Sequence, residues 1–228
     1  MVRVTELRYS LERKRLADDL ASEGLLRSEA VRKAFLSVPR EAFVWPGTEE
    51  QAYFDMPLAL GDTGQTISAP HMVVIMLEAL HPKPGDLVLE IGTGSGYNAA
   101  LLAEMVAPGG AWDGRVVTVE RVPELVAFAR KNLAATGHSQ VVQVVEGDGT
   151  LGGLPGDETL FDAITVTAAA PRVPSALKGR LKEGGSLLIP VGPLGYQDLI
   201  KVIRTTSGFT QESLGACVFV PLVGEDGY

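Results

Sequence analysis

One cysteine, three histidines and two tryptophans among 228 residues leave little material for several kinds of chemistry. Cys217 has no second cysteine to close an intramolecular disulfide, and the scattered histidines stand at no metal-ligating spacing, so neither a redox site nor a metal site is expected. No apolar run reaches the roughly 18 residues of a membrane span, and the segment Met1 to Glu6 lacks the apolar core of a signal peptide. A cytoplasmic protein with no membrane partner is expected. Positive charge is also short: 20 Lys and Arg stand against 28 Asp and Glu, for a net charge of -8 and a pI near 5.0. Such a chain repels polyanions on average, which argues against a nucleic-acid partner. The densest basic cluster, Arg13-Lys14-Arg15 between Glu12 and Asp18-Asp19, reads as a solvated helix face. Internal repeats and low-complexity linkers are lacking too.

What is present is the material of an ordinary globular domain, with 46% hydrophobic residues spread along the chain and 26 Gly and 14 Pro as punctuation. A single domain over 1–228 is expected, with an N-terminal helical lobe in 1–70 set against a larger core in 71–228. Apolar residues recur at helical spacing over Leu11 to Leu20 and Glu29 to Val38, with Ser28 as N-cap and Pro39 as stop. From Leu87 the signal changes to short β-branched runs at Leu87–Ile91, Arg115–Glu120, Val141–Val145, Phe161–Thr167 and Ser186–Val191. Helical stretches at Tyr97–Val106, Pro123–Ala135 and Pro174–Leu181 separate them. This alternation predicts an α/β fold: a doubly wound, mostly parallel sheet covered on both faces. Two last runs, Leu199–Arg204 and Ala216–Val220, have no helix between them and predict a terminal antiparallel hairpin, for about seven strands in all.

The most informative segment is Glu90-Ile91-Gly92-Thr93-Gly94-Ser95-Gly96, between the first of these strands and its helix. Glycines at 92, 94 and 96 let the backbone run close against a ligand, with Thr93 between the first two. The dinucleotide fingerprint fails here, because Tyr97 stands where that pattern wants glycine and the next strand-end acid, Glu120, comes later than the expected ~20 residues. Glu90 places a carboxylate beside the loop, which suits a cationic group and repels a pyrophosphate. The combination favours S-adenosylmethionine, with S-adenosylhomocysteine as product, over a nicotinamide cofactor. At the carboxyl ends of the next strands, Glu120 could accept hydrogen bonds from both ribose hydroxyls of an adenosine. Asp148, in Gly147-Asp148-Gly149, could accept from the adenine amino group.

Several segments taken together resemble the protein-L-isoaspartate O-methyltransferase family: Gly64-Gln65-Thr66-Ile67-Ser68-Ala69-Pro70, Leu89 to Tyr97, Gly147-Asp148-Gly149, Phe161-Asp162-Ala163-Ile164 with Ala168-Ala169-Ala170-Pro171, and Leu187 to Gly192. The likeness runs from about Val38 to Leu222. It implies a Rossmann-like methyltransferase that moves the methyl of S-adenosylmethionine to the α-carboxylate of L-isoaspartyl residues in damaged proteins and peptides. It also implies that Ser68 is the active-site hydroxyl and that Gln65, Thr66, Ile67, Ser68, Glu90, Glu120, Arg121, Asp148 and Gly149 line the cofactor site. Val73 departs from the family, which often carries a histidine there, and the end at Tyr228 puts in doubt any contact that relatives make from a longer tail. A methyltransferase of the same fold acting on a small molecule or nucleic acid, or a non-catalytic S-adenosylmethionine binder, are the alternatives. The oligomeric state is not legible.

The chemistry of the residues agrees with the likeness. A carboxylate is already ionised at neutral pH, so methylating it requires positioning and exclusion of water but no general base. Ser68 could donate to one carboxylate oxygen, or could be only the N-cap of the helical run Ala69–Leu80. His71, three residues on, has no proton to move and is expected to be structural. Pro190-Val191-Gly192 and Val220-Pro221-Leu222 are candidates for gripping a peptide backbone, or are plain edge-strand prolines. Asp113-Gly114, Asp148-Gly149 and Asp226-Gly227 could themselves form isoaspartate, and Asp226, near a chain end expected to fray, is the expected site.

Overall fold

A computed structural model of the chain describes residues 2–110, 113–152 and 159–228. Met1, where the lobe expected over 1–70 begins, lies outside the described residues. Two helices open the chain, α1 (Val2–Ser22) and α2 (Glu29–Ser37). Ser28 caps α2 by accepting from the Val31 N–H at 3.3 Å, and Val38 ends it in an extended conformation, as the residue before Pro39 must. A two-stranded antiparallel ribbon, β1 (Leu58–Ala59) and β2 (Thr66–Ile67), leads into α3 (Pro70–Leu80), whose first position is the proline. The alternating core follows: β3 (Leu87–Ile91), α4 (Tyr97–Val106), β4 (Arg115–Glu120), α5 (Pro123–Ala135), β5 (Val142–Glu146), β6 (Phe161–Val166), α6 (Ser175–Gly179), β7 (Leu181–Val191), β8 (Gln197–Thr205) and β9 (Gly208–Cys217).

The main sheet runs β5-β4-β3-β6-β7-β8-β9. Its first five strands in that order are parallel, and β8 and β9 are antiparallel to their neighbours. The chain moves from β3 outward to β5, then jumps back to β6 on the other side of β3. The crossovers diverge there, leaving a crevice beyond the carboxyl ends of β3, β4 and β6. Apolar side chains fill both faces of the sheet. One cluster joins Leu20, Phe35 and Phe43 of the N-terminal segment to Leu101 and Leu102 of α4, and another packs Leu89, Ile164, Leu177 and Leu187. Each fully buried Leu or Phe contributes about 1.5–3 kcal/mol. Phe43 stacks 5.7 Å from Tyr97 and Trp45 4.9 Å from Phe128, which holds the N-terminal segment over the crevice.

Some element bounds differ from the sequence expectation. β9 begins at Gly208, so Ala216 and Cys217 are its last residues and not its start. It is an edge strand exposed from Phe209 to Ala216, and residues such as Thr210, Gln211, Glu212 and Ser213 show no apolar alternation to mark it. α1 extends beyond Leu11–Leu20 at both ends, α6 is one turn, and β7 starts at Leu181, where Lys182, Glu183, Gly184 and Gly185 hide the strand. Among the described residues no helix is long and apolar enough to cross a membrane.

The expectation that the end frays is overturned. After β9 the chain returns across the carboxyl ends of the strands: the Leu222 N–H donates to Ala169 O at 2.7 Å, the Glu225 N–H to Asp148 Oδ2 at 2.9 Å, and the Asp226 N–H to Thr150 Oγ1 at 3.2 Å. Arg172 pairs with Asp226 at 2.5 Å, and the Tyr228 hydroxyl donates to Gly192 O.

Candidate active site

The crevice is a cleft of about 1030 Å³ including its open mouth, and its walls come from segments far apart in the chain. Its floor is the turn between β3 and α4. Gly92 has φ 95°, and a Cβ there would collide with Thr167 Oγ1, so the position requires glycine. Thr167, just past β6, donates to Gly92 O at 2.7 Å and ties the turn to the next strand. Asn132 of α5 fixes the other end of the turn by donating to Ser95 O at 3.0 Å.

Glu120, at the end of β4, lines the cleft and is 7% exposed. Its Oε2 accepts from the Gly94 N–H at 2.9 Å, and its Oε1 from the N–H groups of Arg121 and Val122 at 2.9 and 3.0 Å. The carboxylate therefore builds the turn as well as facing the cleft, and its open acceptor capacity lies on Oε2. Val119, Arg121 and Val122 continue this wall.

Glu90 sits elsewhere. It is fully buried and not part of the cleft wall, with Asn98 donating to Oε1 at 2.7 Å and Thr118 to Oε2 at 2.5 Å. Thr118 also meets Thr93 Oγ1 at 2.7 Å, which links Glu90 to the turn. Burial pushes the Glu90 carboxyl up to about 7, against the Thr118 and Asn98 hydrogen bonds that favour its anion. A direct contact between Glu90 and a ligand has no support in this arrangement; Asn98, which does line the cleft, is its intermediary.

Asp148 likewise points away from the wall formed by its neighbours Gly147 and Gly149. Its Oδ1 accepts from Thr150 N and Oγ1 at 2.9 and 2.7 Å, and its Oδ2 from Glu225 N. Burial alone would raise this carboxyl, but the hydrogen bonds from Glu225 and Thr150 outweigh it and hold the group below the usual carboxylate range. Gly149 packs on Ile91, where a Cβ would clash. The opposite wall is Gln65, Thr66, Ile67 and Ser68. The helix that follows takes Ala69, not Ser68, as its N-cap and has no side-chain cap bond, and among the described residues nothing hydrogen-bonds Ser68 Oγ. The capping alternative is thereby removed.

His71 pairs through Nδ1 with Asp55, at 2.9 Å to one carboxylate oxygen and 3.0 Å to the other, and does not line the cleft. Of the two candidate peptide-gripping segments, Val220-Pro221-Leu222 forms part of the cleft and Pro190-Val191-Gly192 does not. Sequence reasoning missed Thr118, Asn98 and Asn132. Thr118 is a single polar residue inside an apolar strand, Asn98 and Asn132 lie on helices with no motif around them, and only the register of β3 with β4, which sets Glu90 beside Thr118, could have pointed to one of them.

Comparison with known proteins adds an independent line. Residues 11–227 match the model of the family described as protein-L-isoaspartate(D-aspartate) O-methyltransferase. The chain is 52% identical over 217 residues to a protein-L-isoaspartate O-methyltransferase of Methanopyrus kandleri, covering 95% of this chain and 93% of the relative. A protein of the same name from Staphylothermus marinus is 52% identical over 223 residues, 97% of this chain and 98% of its own. Among solved structures, one described as such a methyltransferase from Plasmodium falciparum, in complex with S-adenosyl-L-homocysteine, superposes with a TM-score of 0.83 at 28% identity, over 92% of this chain and 97% of its own.

Proposed function

The chain belongs to the protein-L-isoaspartate(D-aspartate) O-methyltransferase family, and from that premise we propose that it methylates the α-carboxylate of L-isoaspartyl residues in damaged proteins and peptides, with S-adenosylmethionine as donor. The cleft fits such a donor. It joins an apolar lining at Ile67, Ile91, Val119, Val122 and Leu222 to a strand-end acid and a turn in which a Cβ at Gly92 would close the approach. Glu120, with Oε2 still open, is the residue to hold the ribose; Gly147 and Gly149 would flank the adenine, with Asp148 fixing their loop. Gly92, Thr93 and Gly94 form the floor, with Arg121 on the adjoining wall, whereas Gly96 does not line the cleft and packs against Leu133 and Ala129 of α5. When bound, S-adenosylmethionine supplies an electrophilic methyl on a positively charged sulfur.

The chain's own residues need only place the nucleophile. Ser68, with an unused hydroxyl on the wall opposite the turn, donates to one oxygen of the incoming carboxylate and aims the other. No base is required, because the nucleophile arrives ionised. Gln65 to Ile67 on one side and Val220 to Val223 on the other narrow the cleft and exclude water from the carboxylate. The observation that carries the reading is the meeting of Thr66-Ile67-Ser68 with the glycine turn and Glu120 in one cleft, within a chain about half identical to named relatives along almost its whole length. Incubation with labelled S-adenosylmethionine and two peptides differing only in isoaspartate against aspartate tests it. Base-labile label on the isoaspartyl peptide alone is expected; label on both peptides, on neither, or on RNA overturns the reading.

A further inference from the structure

Behind the Ser68 wall lies a cation that the function has not yet used. Arg40 is fully buried. Its Nε donates to Ala52 O at 2.8 Å and its Nη2 to Ser68 O at 2.9 Å, while Nη1 has no hydrogen-bond partner. Its Cζ stands 5.0 Å from the centre of the Tyr97 ring. Tyr97 lines the cleft, and its buried hydroxyl, which makes no well-formed hydrogen bond, sits close enough to Arg40 to favour the guanidinium's charge. Both hydrogen-bond acceptors of Arg40 are uncharged carbonyls. Among the described residues no carboxylate lies within ion-pairing distance of it, and Asp55, the acid acting on it from farther off, is held by His71. A guanidinium stays charged even where burial disfavours the charge, so this is an uncompensated positive charge in a poorly screened place.

We propose that Arg40 is a positioning residue that selects the anionic acceptor: it fixes the Ser68 main chain and lends the cleft wall a positive charge that a carboxylate feels and its methyl ester does not. The inference rests on the proposed function. The acceptor brings one negative charge that disappears as the ester forms. Attraction to Arg40 is therefore stronger in the bound acid than in the transition state, and absent in the product. Losing that attraction weakens binding without slowing the chemical step, and an interaction of that kind shows in KM and not in kcat.

The test compares wild type, Arg40→Met and Arg40→Lys in steady-state methylation of an isoaspartyl peptide, with the same peptide bearing a carboxamide in place of the α-carboxylate as inhibitor. For Arg40→Met, KM is expected to rise about tenfold, with kcat equal or higher and the inhibition constant of the carboxamide unchanged. Arg40→Lys keeps the charge and loses the fork that holds two carbonyls, so its melting temperature should drop while KM stays near wild type. Equal rises in KM and in the carboxamide constant for both variants, or no rise for Arg40→Met, overturn the proposal by showing a purely structural role. Should Arg40→Met fail to fold, the wild type decides. Its KM should barely change as sodium chloride is raised, because a buried charge is poorly screened, and a steep salt dependence would assign the attraction to exposed groups such as Arg121. A wild type that labels no isoaspartyl peptide would sink the proposed function itself, a failure distinct from any in which wild type turns over and the variants do not separate.

Discussion

Glu120 collects three backbone N–H groups from the turn and from its own strand end, so its removal should do two things at once. Glu120→Ala leaves those donors without their acceptor and is expected to cost about 2–3 kcal/mol of stability as well as weakening S-adenosylmethionine binding by about tenfold or more. Thermal melts and calorimetry would check both, and loss of affinity with no loss of stability would contradict the role in the turn. Ser68 should behave oppositely. With no cap bond to lose, Ser68→Ala is expected to lower kcat while the melting temperature and cofactor affinity stay nearly unchanged. Glu90 gives a pH signature. Its pKa, raised by burial to about 7 against 4.5 for an ordinary Glu, means that the folded protein keeps a proton the unfolded chain releases. The stability it contributes is full below about pH 4.5 and is lost as pH rises through about 7, a difference on the order of 3 kcal/mol. Glu90→Gln should therefore gain stability relative to wild type between pH 5 and pH 8, and melting curves that stay parallel across that range would contradict the assignment. At this scale the sequence disclosed the glycine turn and Glu120, because close approach and a strand-end acid leave a pattern. It could not disclose that Glu90 and Asp148 turn their carboxylates to Thr118 and Glu225, since those partners are set by strand register and by the return of the chain end.

The elements were legible where their periodicity was strong. β3, β4, α4 and α5 carry unbroken apolar patterns and have the expected bounds, whereas β9 is a solvated edge whose polar residues carry no pattern, and the first half of β7 is masked by charges and glycines. The segment after β9 is the instructive case. Its composition reads as a loose end, yet it forms a wall of the cleft and ties Asp148, Thr150 and Arg172. Isoaspartate formation at Asp226-Gly227 is thereby disfavoured: Asp226 is held at both its carboxylate and its N–H, and the Gly227 N–H that would attack donates to Gly224 O at 3.2 Å. Asp113 is exposed and has no such ties among the described residues. Peptide mapping of aged protein should find isoaspartate at Asp113 ahead of Asp226; the reverse order would show that the chain end opens far more often than its contacts imply.

At the scale of the molecule, the parallel sheet and its switch point put four strand ends, a glycine turn and an N-terminal segment into one place, and the chain's acidic balance leaves Arg40 as a buried exception near the acceptor wall. The fold class followed from the alternation of strands and helices; the overhanging N-terminal wall followed only from the packing of Phe43 on Tyr97 and Trp45 on Phe128, which no local pattern encodes. The central claim is that this cleft holds the donor on the turn and Glu120 and receives an isoaspartyl carboxylate at Ser68. A crystal structure of the protein with S-adenosylhomocysteine and an isoaspartyl peptide tests it most directly. The account predicts the ribose hydroxyls on Glu120 and an α-carboxylate oxygen within hydrogen-bonding distance of Ser68 Oγ, and a peptide whose carboxylate lies away from Ser68, or a nucleoside bound outside the cleft, would contradict it.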